Sequence, residues 1–428
     1  MTASSDVASA KYKRQSGMFA CAAALINTLL GVSIVGSAHG FTEAGYALGT
    51  ALFVIFAGFS AMGLYLLACS ARKVGAFPSS YYVVAHAAVP QYTLAIDAAV
   101  AIKCFGVATS YLIVIGDLLP DAVEGLLKER AAPALLSRHF WITTAMVWIA
   151  PLAAQRSLGA LKYTATLAIG FAFFLVSMVV AYAAVPSLHR SLCHGGEVDT
   201  CSGAGPAVGA PVHVLRVLSI FVFSYTCHQN IFGVCNELRE PTQGRIKAVI
   251  AVAVATAAAV HLSISWSAFA TFGTNVSDNI LNNYAKGLPL TVARVCVALL
   301  VSTGYPLQAH PSRRSIVTVA GAAEAPDISP DNASAKLFWT VTLAFIGLTY
   351  LIAMAITDLG VVLEVVGATG STIISYILPG GIYLALHPPT DKVQPLRVAA
   401  AVQLATGCVI MPVCLFFVIE GAVTSYRA

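Results

Sequence analysis

Charge is what this sequence has least of. Asp, Glu, Lys and Arg make up 10% of its 428 residues, against about 25% in soluble domains. So few charges cannot cover the surface of a soluble protein of this size. That excludes a soluble enzyme, a nucleic-acid binder and a disordered scaffold. Signatures of chemistry are missing too. There is no His-Glu-x-x-His, Gly-x-Ser-x-Gly, Gly-x-x-x-x-Gly-Lys or Gly-x-Gly-x-x-Gly, so no catalytic residue and no resident cofactor is assigned. No Cys-x-x-Cys occurs among the ten cysteines, which removes a redox dithiol or a zinc knuckle. The period-two alternation of a membrane barrel is absent, as is any ring-forming or filter motif of an ion channel.

Apolar residues are abundant, at 58%, and they fall in long uncharged runs. A helix needs about 20 mostly apolar residues to cross a bilayer core of about 30 Å. Eleven stretches qualify, near 17–40, 46–70, 94–118, 139–155, 162–185, 214–236, 247–272, 289–311, 337–357, 360–386 and 397–420. The expected fold is an all-α integral membrane protein with eleven transmembrane helices over residues 16–420. The uncharged stretch 74–93 holds Gly75, Pro78, His86 and Pro90 and reads as a connection. The first run is too long for a cleaved signal peptide, lacks a small-residue cleavage site and carries Asn27. Residues 1–15 read as a short cytosolic tail.

Lys and Arg set the orientation. With the N-terminus in the cytosol, fifteen of the 24 fall in cytosolic segments, six on the opposite side and three within or at the ends of spans. This threading puts the 186–212 loop on the non-cytosolic side, where disulfides form. Cys193 and Cys201 in that loop are the expected bridge, and the other eight cysteines read as small apolar packing groups. The sequon Asn275-Val-Ser277 falls outside, and Asn332-Ala-Ser334 falls in the cytosol.

Two spans carry polar interruptions. The first reads Asn27-Thr-Leu-Leu-Gly31-Val-Ser-Ile-Val-Gly36, with Ser37 and Gly40 after it. Glycines and serines at that spacing expose main-chain N–H and C=O groups to a small zwitterion. The sixth places seven successive hydrogen-bonding residues, Ser224 to Asn230, inside an apolar run. Polar groups at membrane depth face a cavity or a pathway, and transporters built from repeats bind substrate where helices are broken.

These residues, with Lys103-Cys-Phe-Gly-Val-Ala-Thr-Ser-Tyr-Leu-Ile-Val-Ile-Gly-Asp-Leu-Leu-Pro120, Asn236-Glu-Leu238, Tyr305-Pro306, Pro311-Ser-Arg313, Val366-Gly-Ala-Thr-Gly-Ser371 and Leu378-Pro379-Gly380, carry a resemblance. The chain resembles the amino acid/auxin permease family over roughly residues 16–420, and its third span looks most like the fungal vacuolar members. The resemblance implies a 5+5 inverted repeat with spans one and six broken. It implies a secondary active transporter of L-amino acids, chiefly neutral ones, working by alternating access as a monomer in a vacuolar, lysosomal or plasma membrane. A transporter-like nutrient sensor is the alternative; its mark would be a long cytosolic extension, and the tail here is about 15 residues. The expected partners are an amino acid and the lipid bilayer, with no nucleic acid.

For the site, the reading places the substrate carboxylate at N–H groups around Gly31, Val32 and Ser33, with Gly36 nearby. Its ammonium meets carbonyls of Ser224, Tyr225 and Thr226, and Tyr111 from span three joins them. Family members carry Pro where this chain has Ala38, so the first break is expected to rest on Gly36 and Gly40. Sodium-coupled relatives imply an ion site at Asn27 with Ser302 or Thr303. Proton-coupled ones need a titratable group, for which His39, His228 and Glu43 are candidates; His261 and His310 read as packing residues. Lys103 lies about ten residues into span three, about 15 Å deep. It is either a buried coupling residue, with Glu364 as candidate partner, or a lysine that snorkels to the interface.

Overall fold

The computed structural model describes residues 16–155, 162–193, 201, 204–285, 287–321, 334–390 and 392–427. The expected tail 1–15, the sequon at Asn332 and the polar stretch 194–200 lie outside them. The described residues form helices and no strand, joined by short turns. Among the described residues, nine helices are long and apolar enough to cross a membrane, and ten when one bent pair is counted as a span. That pair is α1 (Met18–Leu30) and α2 (Ser33–Ala44), which meet at 54°. After it come α3 (Tyr46–Val74), the short α4 (Tyr81–Ala88), α5 (Thr93–Leu127), α6 (Arg138–Ala153), α7 (Lys162–Ala184) and the short α8 (Pro186–Cys193). The second half holds α9 (Pro211–Ser224), α10 (Ile231–Glu237), α11 (Gln243–Phe272), α12 (Leu288–Gly321), α13 (Ala335–Ala355), α14 (Leu359–Val366), α15 (Leu378–Leu386) and α16 (Pro395–Arg427). At 16 residues α6 is the expected span that is not among these ten; it reaches about 24 Å, and the expected total of eleven depends on it.

Burial separates an inner ring from an outer one. The spans containing α5, α9–α10 and α14–α15 are 72–78% buried by protein, whereas α7, α13 and α16 are only 22–33% buried. The outer helices expose Leu167, Leu343, Leu351 and Phe416, which suits a lipid solvent as apolar as the side chains themselves. Helix ends follow local chemistry. The side chains of Ser80, Thr242, Ser334 and Asp358 cap the starts of α4, α11, α13 and α14. Gly75, at φ +71°, closes α3 in the left-handed conformation.

The first-span break lies at Gly31–Val32, which corrects the expectation that Gly36 and Gly40 would carry it. Both glycines sit inside the continuous α2. They serve close packing instead: a Cβ on Gly36 would fall 2.4 Å from Leu363 Cδ1, and one on Gly40 would fall 3.2 Å from Ile220. Ala38 therefore needs no proline, because the chain bends earlier. The sixth span breaks where expected. α9 ends at Ser224, residues 225–227 leave the helix, a single 3-10 turn covers His228–Asn230, and α10 resumes. In span ten, Gly367–Ser371 and Ile373–Ile377 form π-helical turns. A Cβ on Gly367 would fall 2.1 Å from the Ser219 carbonyl oxygen, so glycine is what admits α9 there.

Spans one and six are tied together along their length. The Ser16 N–H donates to the Glu237 carbonyl and the Arg239 N–H to the Ser16 carbonyl, both at 3.0 Å. Asn230 Nδ2 donates to Thr28 Oγ1 at 2.6 Å. At the far end the Gly209 N–H donates to the Ala44 carbonyl at 2.8 Å, and His213 Nδ1 pairs with Glu43 at 2.6 Å.

Arginines close the scaffold around this pair. Arg138 bridges Asp117 at 2.7 Å and donates to the carbonyls of Ala353 and Ile356, which binds α5, α6 and the end of α13. Arg313 does the same for the end of α6 through the Ala153 and Gln155 carbonyls. Removing one partner of such a pair leaves desolvated groups and costs on the order of 3 kcal/mol. Arg138→Met is expected to lower the thermal unfolding midpoint of the detergent-purified protein by several degrees, and by more than Val147→Ala on the exposed face of α6. Equal midpoints for the two variants would contradict this role.

Candidate functional site

The two breaks face one another across a tight cavity of about 10 Å³, room for about one water. Thr28, Val32 and Ser33 line it from span one, Phe223 and Thr226 from span six, Lys103, Val107 and Tyr111 from α5, and Gln308 from α12. The polar groups freed by the breaks find partners locally. Ser33 Oγ donates to the Leu29 carbonyl at 2.5 Å, Ser224 Oγ to Ile220 at 2.8 Å and Thr226 Oγ1 to Val222 at 2.7 Å. Ser60 Oγ on α3 donates to the Tyr225 carbonyl at 2.7 Å, so that carbonyl is already engaged by the scaffold. Ser375 Oγ in span ten donates to Thr226 Oγ1 at 3.2 Å.

Tyr111 is the wedge between the breaks and α12. A Cβ on Gly31 would fall 2.5 Å from its hydroxyl oxygen, and a Cβ on Gly304 would fall 2.9 Å from its ring. Its hydroxyl lies beside the Gln308 side chain at the cavity wall, and Gln308 Oε1 accepts from Lys103 Nζ at 3.4 Å. The glycines thus let one buried tyrosine touch two helices and reach a polar partner.

Of the anticipated residues, Val32, Ser33, Thr226, Tyr111 and Lys103 meet at this cavity, with Gly31 behind Tyr111. Gly36 does not line it. Asn27 is buried on α1, and Ser302 and Thr303 turn their hydroxyls back onto the carbonyls of Ala298 and Leu300. The pairing of Lys103 with Glu364 is not formed. Glu364 Oε2 accepts from Arg216 Nε at 3.2 Å, in a second, wider cavity of about 350 Å³ lined also by His39, Asp278 and Asp358. The distance between the two cavities separates the groups that sequence alone could join. Nor does Lys103 snorkel, since it is 2% exposed. His228 is fully buried in the 3-10 turn, pressed against Gly63, whose Cβ would fall 2.7 Å from the ring. Cys193 and Cys201 are joined by a disulfide at the end of α8.

Two groups escaped the sequence reading. Gln308 sits in an apolar run one turn after Tyr305, and its depth was the only signal. His261 on α11 is fully buried between the two breaks. Its Nδ1 meets Ser37 Oγ at 3.2 Å, and its ring stacks on Phe53 at 5.8 Å. A lone histidine in a hydrophobic run gives no hint of that placement.

Residues 14–424 match the profile of the family described as transmembrane amino acid transporter protein. This chain belongs to that family. Vacuolar amino acid transporter 5 of Schizosaccharomyces pombe is 32% identical over 413 residues, covering 94% of each chain. Sodium-coupled neutral amino acid transporter 7 of Rattus norvegicus is 27% identical, covering 83% of this chain and 76% of its own. The crystal structure of MhsT in complex with L-phenylalanine has the same fold at a TM-score of 0.57 and 13% identity, covering 93% of this chain and 99% of that one. Members of the transmembrane amino acid transporter family are transporters and not enzymes, and this member is a multi-pass membrane protein.

The contact at Gly31 makes a geometric prediction. In Gly31→Ala the new methyl meets the Tyr111 hydroxyl, and uptake by the reconstituted transporter is expected to fall about tenfold or more. In a Tyr111→Phe background the nearest ring atom is 3.3 Å away, so the same alanine is expected to cost less. A double-mutant cycle on initial uptake rates measures the difference; strict additivity would show that the two residues do not clash.

Proposed function

We propose that this chain is a secondary active transporter that moves L-amino acids, neutral ones foremost, across a vacuolar or lysosomal membrane by alternating access. The observation that carries the reading is the cavity between the two broken spans. Its walls combine a helix start at Val32–Ser33, hydroxyls of Thr28 and Thr226 and an ammonium at Lys103, a set suited to a small zwitterion. The names of the relatives support both the cargo and the membrane. Eleven spans in a 5+5 inverted repeat, with α6 as the shortest and the N-terminus in the cytosol, agree with the charge asymmetry of the loops. The chain acts as a monomer in this reading. Spans one and six, tied along their length, rock together against α5, α12 and the outer helices.

Protons are the coupling ion in this account. The long span-three motif is of the vacuolar type, and the interior holds two histidines, His228 and His261, a residue type that can exchange a proton. A sodium site at Asn27 with Ser302 or Thr303 is the competing assignment. The test is uptake by proteoliposomes of L-alanine, L-leucine, L-glutamine and L-histidine, with sodium replaced by choline at fixed external pH. Uptake of at least one amino acid, indifferent to sodium and driven by an imposed pH gradient, is expected. A strict sodium requirement that weakens in Asn27→Ala would overturn the proton assignment, and no uptake of any amino acid would overturn the function. Orientation is checked separately by glycosylation: a glycan on an engineered sequon in the 1–15 segment would invert the threading.

A further inference from the structure

Lys103 stands out among the buried charges because the described residues supply it with no counter-charge. The buried acids of the neighbouring spans have partners of their own. Asp97 accepts from Ser315 at 2.9 Å, Asp117 pairs with Arg138 at 2.7 Å and Glu364 with Arg216 at 3.2 Å. The titratable groups around Lys103 are Cys104 and Tyr111 on its own helix and Cys227 and His228 in the span-six break; none is a carboxylate. From α12 it meets Gln308, an amide, at 3.4 Å. On the span-ten side, a Cβ on Gly370 would fall 2.5 Å from Lys103 Cβ, so that wall is closed and the side chain is held toward the cavity it lines.

An ammonium at membrane depth without an anion is costly. The same cavity receives the N-terminal end of α2 at Val32–Ser33, whose main-chain dipoles also favour negative charge. Two independent positive features thus converge on a space that contains no protein anion.

We propose that Lys103, positioned by Gln308 and through it by Tyr111, is the receptor for the carboxylate of the transported amino acid. The inference rests on the transporter reading above and sharpens it: the substrate brings the missing anion. Recognition is then for a free carboxylate, and a carboxyl-blocked analogue leaves the ammonium unpaired. Gln308 must be neutral for this to work, because an acid at that position would satisfy Lys103 from within and displace the substrate.

The experiment measures equilibrium binding to the full chain in nanodiscs of the same four L-amino acids, each alongside its carboxamide. Wild type is expected to prefer the acid over the amide by at least tenfold. Lys103→Met is expected to weaken acid binding by about tenfold or more, the scale of a lost charge-assisted contact, with amide binding altered less than twofold. Lys103→Arg keeps more of the preference than Lys103→Met. Gln308→Glu is expected to weaken acid binding as much as Lys103→Met while the unfolding midpoint stays at or above the wild-type value, and it decides the matter should Lys103→Met fail to fold. Wild-type acid affinity in either variant, or equal losses for acid and amide, would overturn the assignment. Failure of wild type to bind any of the four amino acids would instead overturn the transporter reading, and the inference with it.

Discussion

Main-chain polar groups at membrane depth have no water to turn to, and each must find a partner inside the protein. This constraint organises the structure around two helices that give up part of their own hydrogen bonding. Hydroxyls inserted from the broken segments themselves, at Ser33, Ser224 and Thr226, bind back to carbonyls one turn earlier. Ser60 reaches in from α3 to take the Tyr225 carbonyl. What these partners leave over is the polar lining of a small cavity. The inner spans are the most buried because they are the ones that hold this lining away from lipid.

The same economy governs charge. Arginines are spent on the ends of helices, where carbonyls are in surplus: Arg138 on α13, Arg313 on α6, and Arg294 on the Leu281 and Tyr284 carbonyls. Acids pair with arginines, a histidine, hydroxyls or main-chain N–H groups. Among the described residues, Lys103 is a buried cation set against an amide and a space. Beside the span-six break, Phe53 and Tyr225 pack about His261, and Phe221 packs on Phe53.

Much of the fold was legible because hydropathy reports directly on the lipid. The long apolar runs, the connection at 74–93 and the break at Ser224–Asn230 all follow from composition along the chain. The first break was placed five residues late, since Gly31, Gly36 and Gly40 look alike in sequence and differ only in what lies opposite them. Gly31 faces a tyrosine hydroxyl, whereas Gly36 and Gly40 face Leu363 and Ile220. The pairing of Glu364 was misjudged for a related reason: hydropathy gives depth within a span but not the rotation of a helix. Arg216, at the edge of span six, turned toward Glu364, and Lys103 turned toward Gln308. His261 stayed hidden because a single polar residue in an apolar helix reads as packing until its neighbours are known.

The joint between spans one and six has a consequence for how such a sequence can drift. At Ser16 and Arg239 the joint is made chiefly by N–H and C=O groups of the main chain, with one added bond from Ser16 Oγ to Glu237 Oε2 at 3.2 Å. The main-chain part survives substitution of those residues, with the exception of proline, which has no N–H to donate. The opposite end has less latitude. Gly209 also donates from its main chain, but a Cβ there would fall 2.0 Å from the Glu43 carbonyl oxygen. One hinge point is therefore open to nearly any residue and the other to glycine alone, an asymmetry in evolutionary tolerance between two ends that do the same mechanical work.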